Sequence, residues 1–121
     1  MSSESYHEPI ELISAATKDL HRGIVSLIEE LEAIDWYQQR AEACTDGELR
    51  AVLLHHRDEE VEHAMMNLEW LRRHSPVIAD KARLYLFSEG PILETEARAE
   101  AGASGVSGPG QALGVGSLKR S

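Results

Sequence analysis

Glu60-Val61-Glu62-His63 places a carboxylate and an imidazole three residues apart. On a helix that spacing projects both side chains from one face, where they can converge on a single cation. The residues around them keep a four-three register: Leu49, Leu53, His56, Glu60, His63, Asn67 and Trp70. This stripe is apolar at both ends and polar in the middle, which packing alone does not require. An ionised carboxylate inside such a seam costs several kcal/mol unless a partner compensates it. Upstream lies an acid cluster, Glu29, Glu30, Glu32 and Asp35, set against Leu27, Leu31 and Ile34. Like charges three or four residues apart repel, and a bound metal ion would relieve both conflicts.

Carboxylate-bridged di-iron centres in helical bundles take one Glu from each of two helices and an E-x-x-H from each of two others. This chain supplies half of that set. Two copies meeting about a two-fold axis would complete it with two Glu30, two Glu60 and two His63, which predicts an obligate dimer with its site at the subunit interface. Oxygen ligands with one imidazole per metal suit iron or manganese rather than copper(I) or structural zinc. Iron is the expected metal, because a pair of Fe(II) ions can deliver two electrons at once to O₂ or peroxide. Taken alone, E-x-x-H also describes solvated helix faces, and Glu4-Ser5-Tyr6-His7 fits it without implying function. Glu62 has the character of such a face. Trp36, Tyr37, Met65, Met66 and Trp70 are of types that usually pack in cores or interfaces. Tyr37 lies two turns from Glu30 on the same side, while His55 and His56 read as surface or hydrogen-bonded residues and Cys44 as inert.

The elements that position these residues are helices. Pro9, within HEPIE, suits a first helical turn, so helix one is predicted from about residue 8 to about Ala43, with Ile13, Thr17, Leu20, Ile24, Leu27, Leu31 and Ile34 as its buried stripe. Thr45-Asp46-Gly47-Glu48 matches a capping box with Thr45 as the cap, opening helix two. Pro76 ends that helix. Two helices of about 30 residues, each about 45 Å long, joined by so short a link must form an antiparallel hairpin. Val77 to Phe87 is predicted as a short third helix, stopped by Ser88-Glu89-Gly90-Pro91. No strand-like alternation or internal repeat appears, and the fold class is all-α.

Composition narrows the function further. The 121 residues fit one modest domain. A net charge of −9 is the wrong sign for tracking phosphates, so nucleic acid is not an expected partner. No apolar run approaches the ~20 residues of a membrane span, and the start MSSESYHEPIE has no signal-peptide character, so neither a membrane nor export is expected. Cys44 is the only cysteine, which excludes an intrachain disulfide and suits a reducing cytoplasm. All 21 acidic residues precede position 101, and six of the nine glycines follow it, so the tail from Ala101 is expected to be flexible.

The segments EELEAIDWYQQR, HHRDEEVEHAMMNLEWLRR and RLYLFSEGPI together closely resemble the encapsulated ferritins, two-helix relatives of ferritin housed inside encapsulin shells. The similarity covers about residues 7 to 93. It implies an interfacial di-iron ferroxidase centre carried by Glu30, Glu60 and His63 of two chains. Glu29 and Glu32 match positions where iron or other divalent cations gather before reaching that centre, and Tyr37 and His55 match residues close to the iron, with Trp36 beside them. Family dimers join into an open ring, a decamer. Leu113-Gly114-Val115-Gly116-Ser117-Leu118-Lys119-Arg120 resembles an encapsulin cargo-loading peptide, and a long tether would raise its local concentration at the shell.

The expected organisation is therefore a flexible start at 1–7, a ferritin-like hairpin with a short third helix at 8–93, a flexible linker at 94–112 and a targeting peptide at 113–120. The expected function is oxidation of Fe(II) to Fe(III) for mineral storage inside an encapsulin nanocompartment in the cytoplasm. A non-catalytic iron buffer or carrier and a purely structural helical dimerisation adaptor are the alternatives.

Overall fold

The structure is a computed structural model that describes residues 5–105, and these residues are helical with no strand. A 3₁₀ turn at Ile10–Leu12 precedes α1 (Ala15–Ala43), α2 (Gly47–His74), α3 (Pro76–Tyr85) and α4 (Ile92–Gly105). No helix among the described residues is long and apolar enough to cross a membrane.

Helix α1 starts later than its sequence suggests. Pro9 opens only the 3₁₀ turn and offers no side-chain cap. Ile13 is extended, and the Ser14 hydroxyl accepts from the Thr17 amide at 3.1 Å. That bond satisfies one of the free N–H groups of a helix start, so α1 begins at Ala15 rather than near residue 8. Its end at Ala43 agrees with the sequence expectation. The cap of α2 also shifts by one residue, from Thr45 to Asp46. The Asp46 carboxylate accepts from the Leu49 amide at 2.8 Å and its carbonyl accepts from the Arg50 amide at 2.9 Å. A carboxylate is the stronger acceptor and complements the positive end of the helix dipole. The Arg50 guanidinium closes the turn by donating to the Cys44 carbonyl, its Nε at 3.1 Å.

Contacts across the hairpin show an antiparallel pair in even register. Gly23 lies against Trp70 and Leu71, Glu30 reaches His63, the Tyr37 ring meets His56 with centroids 5.3 Å apart, and Arg57 donates to Gln38 at 2.6 Å. A Cβ on Gly23 would come within 3.1 Å of Leu71 Cδ2 and 3.2 Å of Trp70 Cε3. The missing side chain is therefore what lets the indole sit down on α1.

Two helices bury only the stripes they turn toward each other. Ala41, Ala64 and Leu71 are the buried apolar residues among those described, and no large side chain is fully enclosed. Ile24, Leu31, Trp36, Val61, Met65 and Met66 are all exposed. A monomeric soluble protein rarely leaves so much contiguous apolar surface in water, and this hairpin alone lacks the core that a stable domain needs.

Residues from Arg72 onward form a second compact unit. Ser75 is extended and caps α3, its hydroxyl accepting from the Ile78 amide at 3.2 Å with Pro76 in the first turn. This helix ends at Tyr85, two residues short of the expected Phe87, because Leu86 turns extended and Phe87 takes a positive φ of 63°. Ser88 then satisfies the Tyr85 carbonyl through both its amide at 3.1 Å and its hydroxyl at 2.7 Å. Gly90, with φ 82°, completes the reversal into α4, which packs against α3. The predicted flexible linker is corrected here: residues 94–105 are helical, and so is the start of the tail expected to be flexible from Ala101. ETEARAEA is rich in strong helix formers, Glu94 and Arg98 pair across one turn at 3.9 Å, and buried Thr95 accepts from Arg98 at 3.3 Å. The rest of the expected linker and the whole targeting peptide lie outside the described residues.

Candidate metal centre

Glu30 sits in the middle of α1, and Glu60 and His63 sit in the middle of α2, opposite it. The register of the hairpin brings them together: His63 Nδ1 lies 3.1 Å from Glu30 Oε2 and 3.0 Å from Glu60 Oε1. One potential ligand atom from each of the three falls within 4.8 Å of the other two, the one such group among the described residues. The carboxylates are sunk in the seam, with side chains 20% and 23% exposed, whereas the imidazole is 49% exposed. The site therefore has a closed floor and an open side.

The floor carries two negative charges, and histidine answers them. The hydrogen bond to Glu60 raises the His63 pKa above its ordinary value; partial desolvation opposes this, and the charges of Glu30, Glu60 and Glu59 add to the rise. In the metal-free protein these neighbours favour the imidazolium form of His63. Because the folded value is raised, that stabilising interaction is fully present below the ordinary histidine pKa and is lost as pH rises through the raised one. A metal ion must expel the same proton. Apparent affinity for Mn(II) is expected to fall by about tenfold per pH unit below the raised value, since one proton is exchanged. Isothermal titration across pH 5–8 checks this, and a flat profile would contradict it.

The donor set fits the metal that its chemistry suggests. Four carboxylate oxygens and one imidazole nitrogen are hard to borderline ligands without a thiolate, the set that suits Fe(II), Fe(III) or Mn(II). One chain offers three such side chains on one side only, so the remaining positions must be filled by water or by another molecule.

The other candidate residues stand apart from this triad within one chain. Glu29 and Glu32 are exposed on α1. His55 pairs with Glu59 at 3.4 Å on the outer surface of α2, and Trp36 is half exposed. Tyr37 is partly buried, with the Arg40 guanidinium 5.5 Å from its ring centroid. His56, read from sequence as a surface or hydrogen-bonded residue, is exposed and lays its ring beside that of Tyr37, a contact its place in the four-three seam allows. Asp35 accepts from Gln39 at 2.9 Å along its own helix.

The chain is similar to several known proteins. A family model described as EncFtn-like matches residues 5–89. An encapsulated ferritin-like protein of Rhodospirillum rubrum is 53% identical over 126 residues, spanning 98% of this chain and 90% of that protein. A ferritin-like protein of Thermotoga maritima is 42% identical over 106 residues, spanning 88% of this chain and 93% of that one. The crystal structure of a protein from Nitrosomonas europaea, 53% identical, matches with a TM-score of 0.70 over 73% of this chain and 97% of its own. An all-helical hairpin, a cross-helix carboxylate and imidazole triad and these likenesses lead to one assignment: the chain belongs to the EncFtn-like family, a ferritin-like group.

Proposed function

We propose that the protein is a ferroxidase whose working site is shared by two copies. Each copy brings Glu30, Glu60 and His63, and a two-fold axis through the open side of the triad sets two such groups around two Fe(II) ions. The observation that carries this reading is the triad itself, closed by two helices and open toward water, with half the ligands that two bridged metals require. The exposed apolar residues of the hairpin support the same conclusion, because they need a second chain to cover them.

Iron is the substrate. Two Fe(II) ions give one electron each to O₂, and with two protons the products are two Fe(III) and hydrogen peroxide. The carboxylates of Glu30 and Glu60 favour the harder, more highly charged Fe(III), which lowers the cost of electron loss. His63, neutral once its proton has left, supplies the nitrogen ligand. Glu29 and Glu32, exposed on α1, would concentrate cations near the opening through an effect that salt weakens. The family resemblance supports a position for Tyr37 near the iron.

The name of the Rhodospirillum rubrum relative, an encapsulated ferritin-like protein, supports a setting inside an encapsulin compartment in the cytoplasm. There residues 113–120 would dock the protein to the shell and the dimers would join into a ring, a decamer. The shell would then store the mineral that the open hairpin dimer has no cavity to hold. Stopped-flow absorbance under air tests the activity: oxidation per subunit is expected to fall as the protein is diluted through its dimer dissociation constant. Binding of Fe(II) without a ferric signal would instead identify a buffer or carrier.

A further inference from the structure

Near the free end of the hairpin, α1 and α2 part to leave a groove of about 270 Å³ lined by Asp19, Arg22, Gly23, Ser26, Asn67 and Trp70. Gly23 forms part of its wall, where a Cβ would come within 3.2 Å of the Trp70 indole. Arg22 and Ser26 belong to an α1 stripe that continues in four-three steps through Glu29, Ala33, Trp36 and Arg40. His63 and Trp70 share the matching stripe on α2. The groove is thus lined by side chains that share an α1 stripe with Trp36 and an α2 stripe with His63, the triad's exposed member. Trp36 is the one large apolar side chain on that α1 stripe, and it stands 51% exposed.

We infer that this groove receives Trp36 of a second copy and so fixes the register in which two triads meet. The inference rests on the two-copy reading above and adds its docking element. A two-fold axis across the triad makes the partner run antiparallel, so distances from Glu30 map onto equal distances in the opposite sense. Trp36 lies six residues beyond Glu30, about 9 Å at 1.5 Å per residue. Ser26 and Gly23 lie four and seven residues before it, about 6 and 10 Å, and bracket that position. Charge follows the same mapping. Arg40 sits ten residues beyond Glu30 and Asp19 eleven before it, so the Arg40 guanidinium of one copy comes beside the Asp19 carboxylate at the groove rim of the other, which it shares with the Arg22 that pairs with Asp19 within one chain. An indole seated on an indole, with a charged pair at the rim, has the anatomy of an interface hot spot.

The full chain loaded with Mn(II) tests this by sedimentation. Trp36→Ala is expected to raise the dimer dissociation constant at least tenfold, and Trp36→Phe to restore most of the loss; far-UV circular dichroism should stay helical in both, since Trp36 is exposed within one chain. The register is read separately with Cys44→Ser as background. Ser26→Cys combined with Ala33→Cys should form disulfide-linked dimers, because these positions map onto each other, whereas either change alone should not, since like positions lie about 9–12 Å apart along the axis. An unchanged dissociation constant for Trp36→Ala, or cross-linking by the single variants alone, overturns the docking while leaving the shared site intact. A wild-type chain that stays monomeric with Mn(II) overturns both.

Discussion

Glu60→Ala is expected to reduce the initial rate of Fe(II) oxidation by at least a hundredfold, with Glu30→Ala and His63→Ala close behind. Loss even of groups that only orient metal ligands costs about 10–100-fold in affinity or activity, and each of these residues would supply a ligand directly. The two-fold arrangement doubles the damage, because one substitution removes a ligand from both copies at once. The three variants should also behave as a unit, so that a double variant is scarcely worse than a single one. Stopped-flow absorbance of the ferric product measures the rates, and wild-type rates in all three variants would remove the assignment. Folding is not expected to be the cause of any loss. Glu30 and Glu60 each contact His63 in the metal-free seam, so either carboxylate variant leaves the other to pair with the imidazole, and far-UV circular dichroism of all three variants checks that the helices persist.

The second large effect concerns location rather than chemistry. Deleting residues 109–121 is expected to abolish co-purification with a shell protein while leaving the rate of Fe(II) oxidation within about twofold of wild type. The physical ground is separation of roles. The triad is built from side chains in the middle of α1 and α2, while the proposed loading segment has apolar residues spaced by glycine, a pattern that lets an extended peptide place anchors into pockets. Pull-down with a tagged shell protein, followed by activity of the released fraction, separates the two. Retained capture after deletion would show that the helical body itself docks to the shell.

Much of the site was legible in the sequence because its signals are local. An E-x-x-H on a helix fixes the relation of Glu60 to His63 without knowledge of the fold, and one short link fixes which part of α1 lies opposite. Glu30 lies off the apolar stripe read for helix one: Ile24 and Leu31 of that stripe are exposed, and Gly23, Glu30 and Tyr37 make the contacts with α2, with Glu30 3.1 Å from His63. Helix ends were less legible, because competing caps differ by fractions of a kcal/mol. Ser14 prevailed over the Pro9 turn, and Asp46 over Thr45, through single hydrogen bonds that the types alone do not rank. Helix α4 is obscured by composition, because the glycines that follow position 101 adjoin and dilute the helix-forming EARAEA of residues 96–101. The Gly23 and Trp70 contact was invisible for a different reason, since a glycine inside a helix signals close approach without naming its partner.

The near absence of buried side chains has one more implication. On the proposed pairing, the described residues, which bury almost nothing by themselves, would gain an interior from a second copy, and folding stability would become a function of how many copies a cell holds. Newly made subunits that stayed single would be open to proteases, and the survivors would be those already paired. On this scheme, an unfinished pocket, able to take one iron and pass a lone electron to oxygen, would seldom persist long enough to release superoxide.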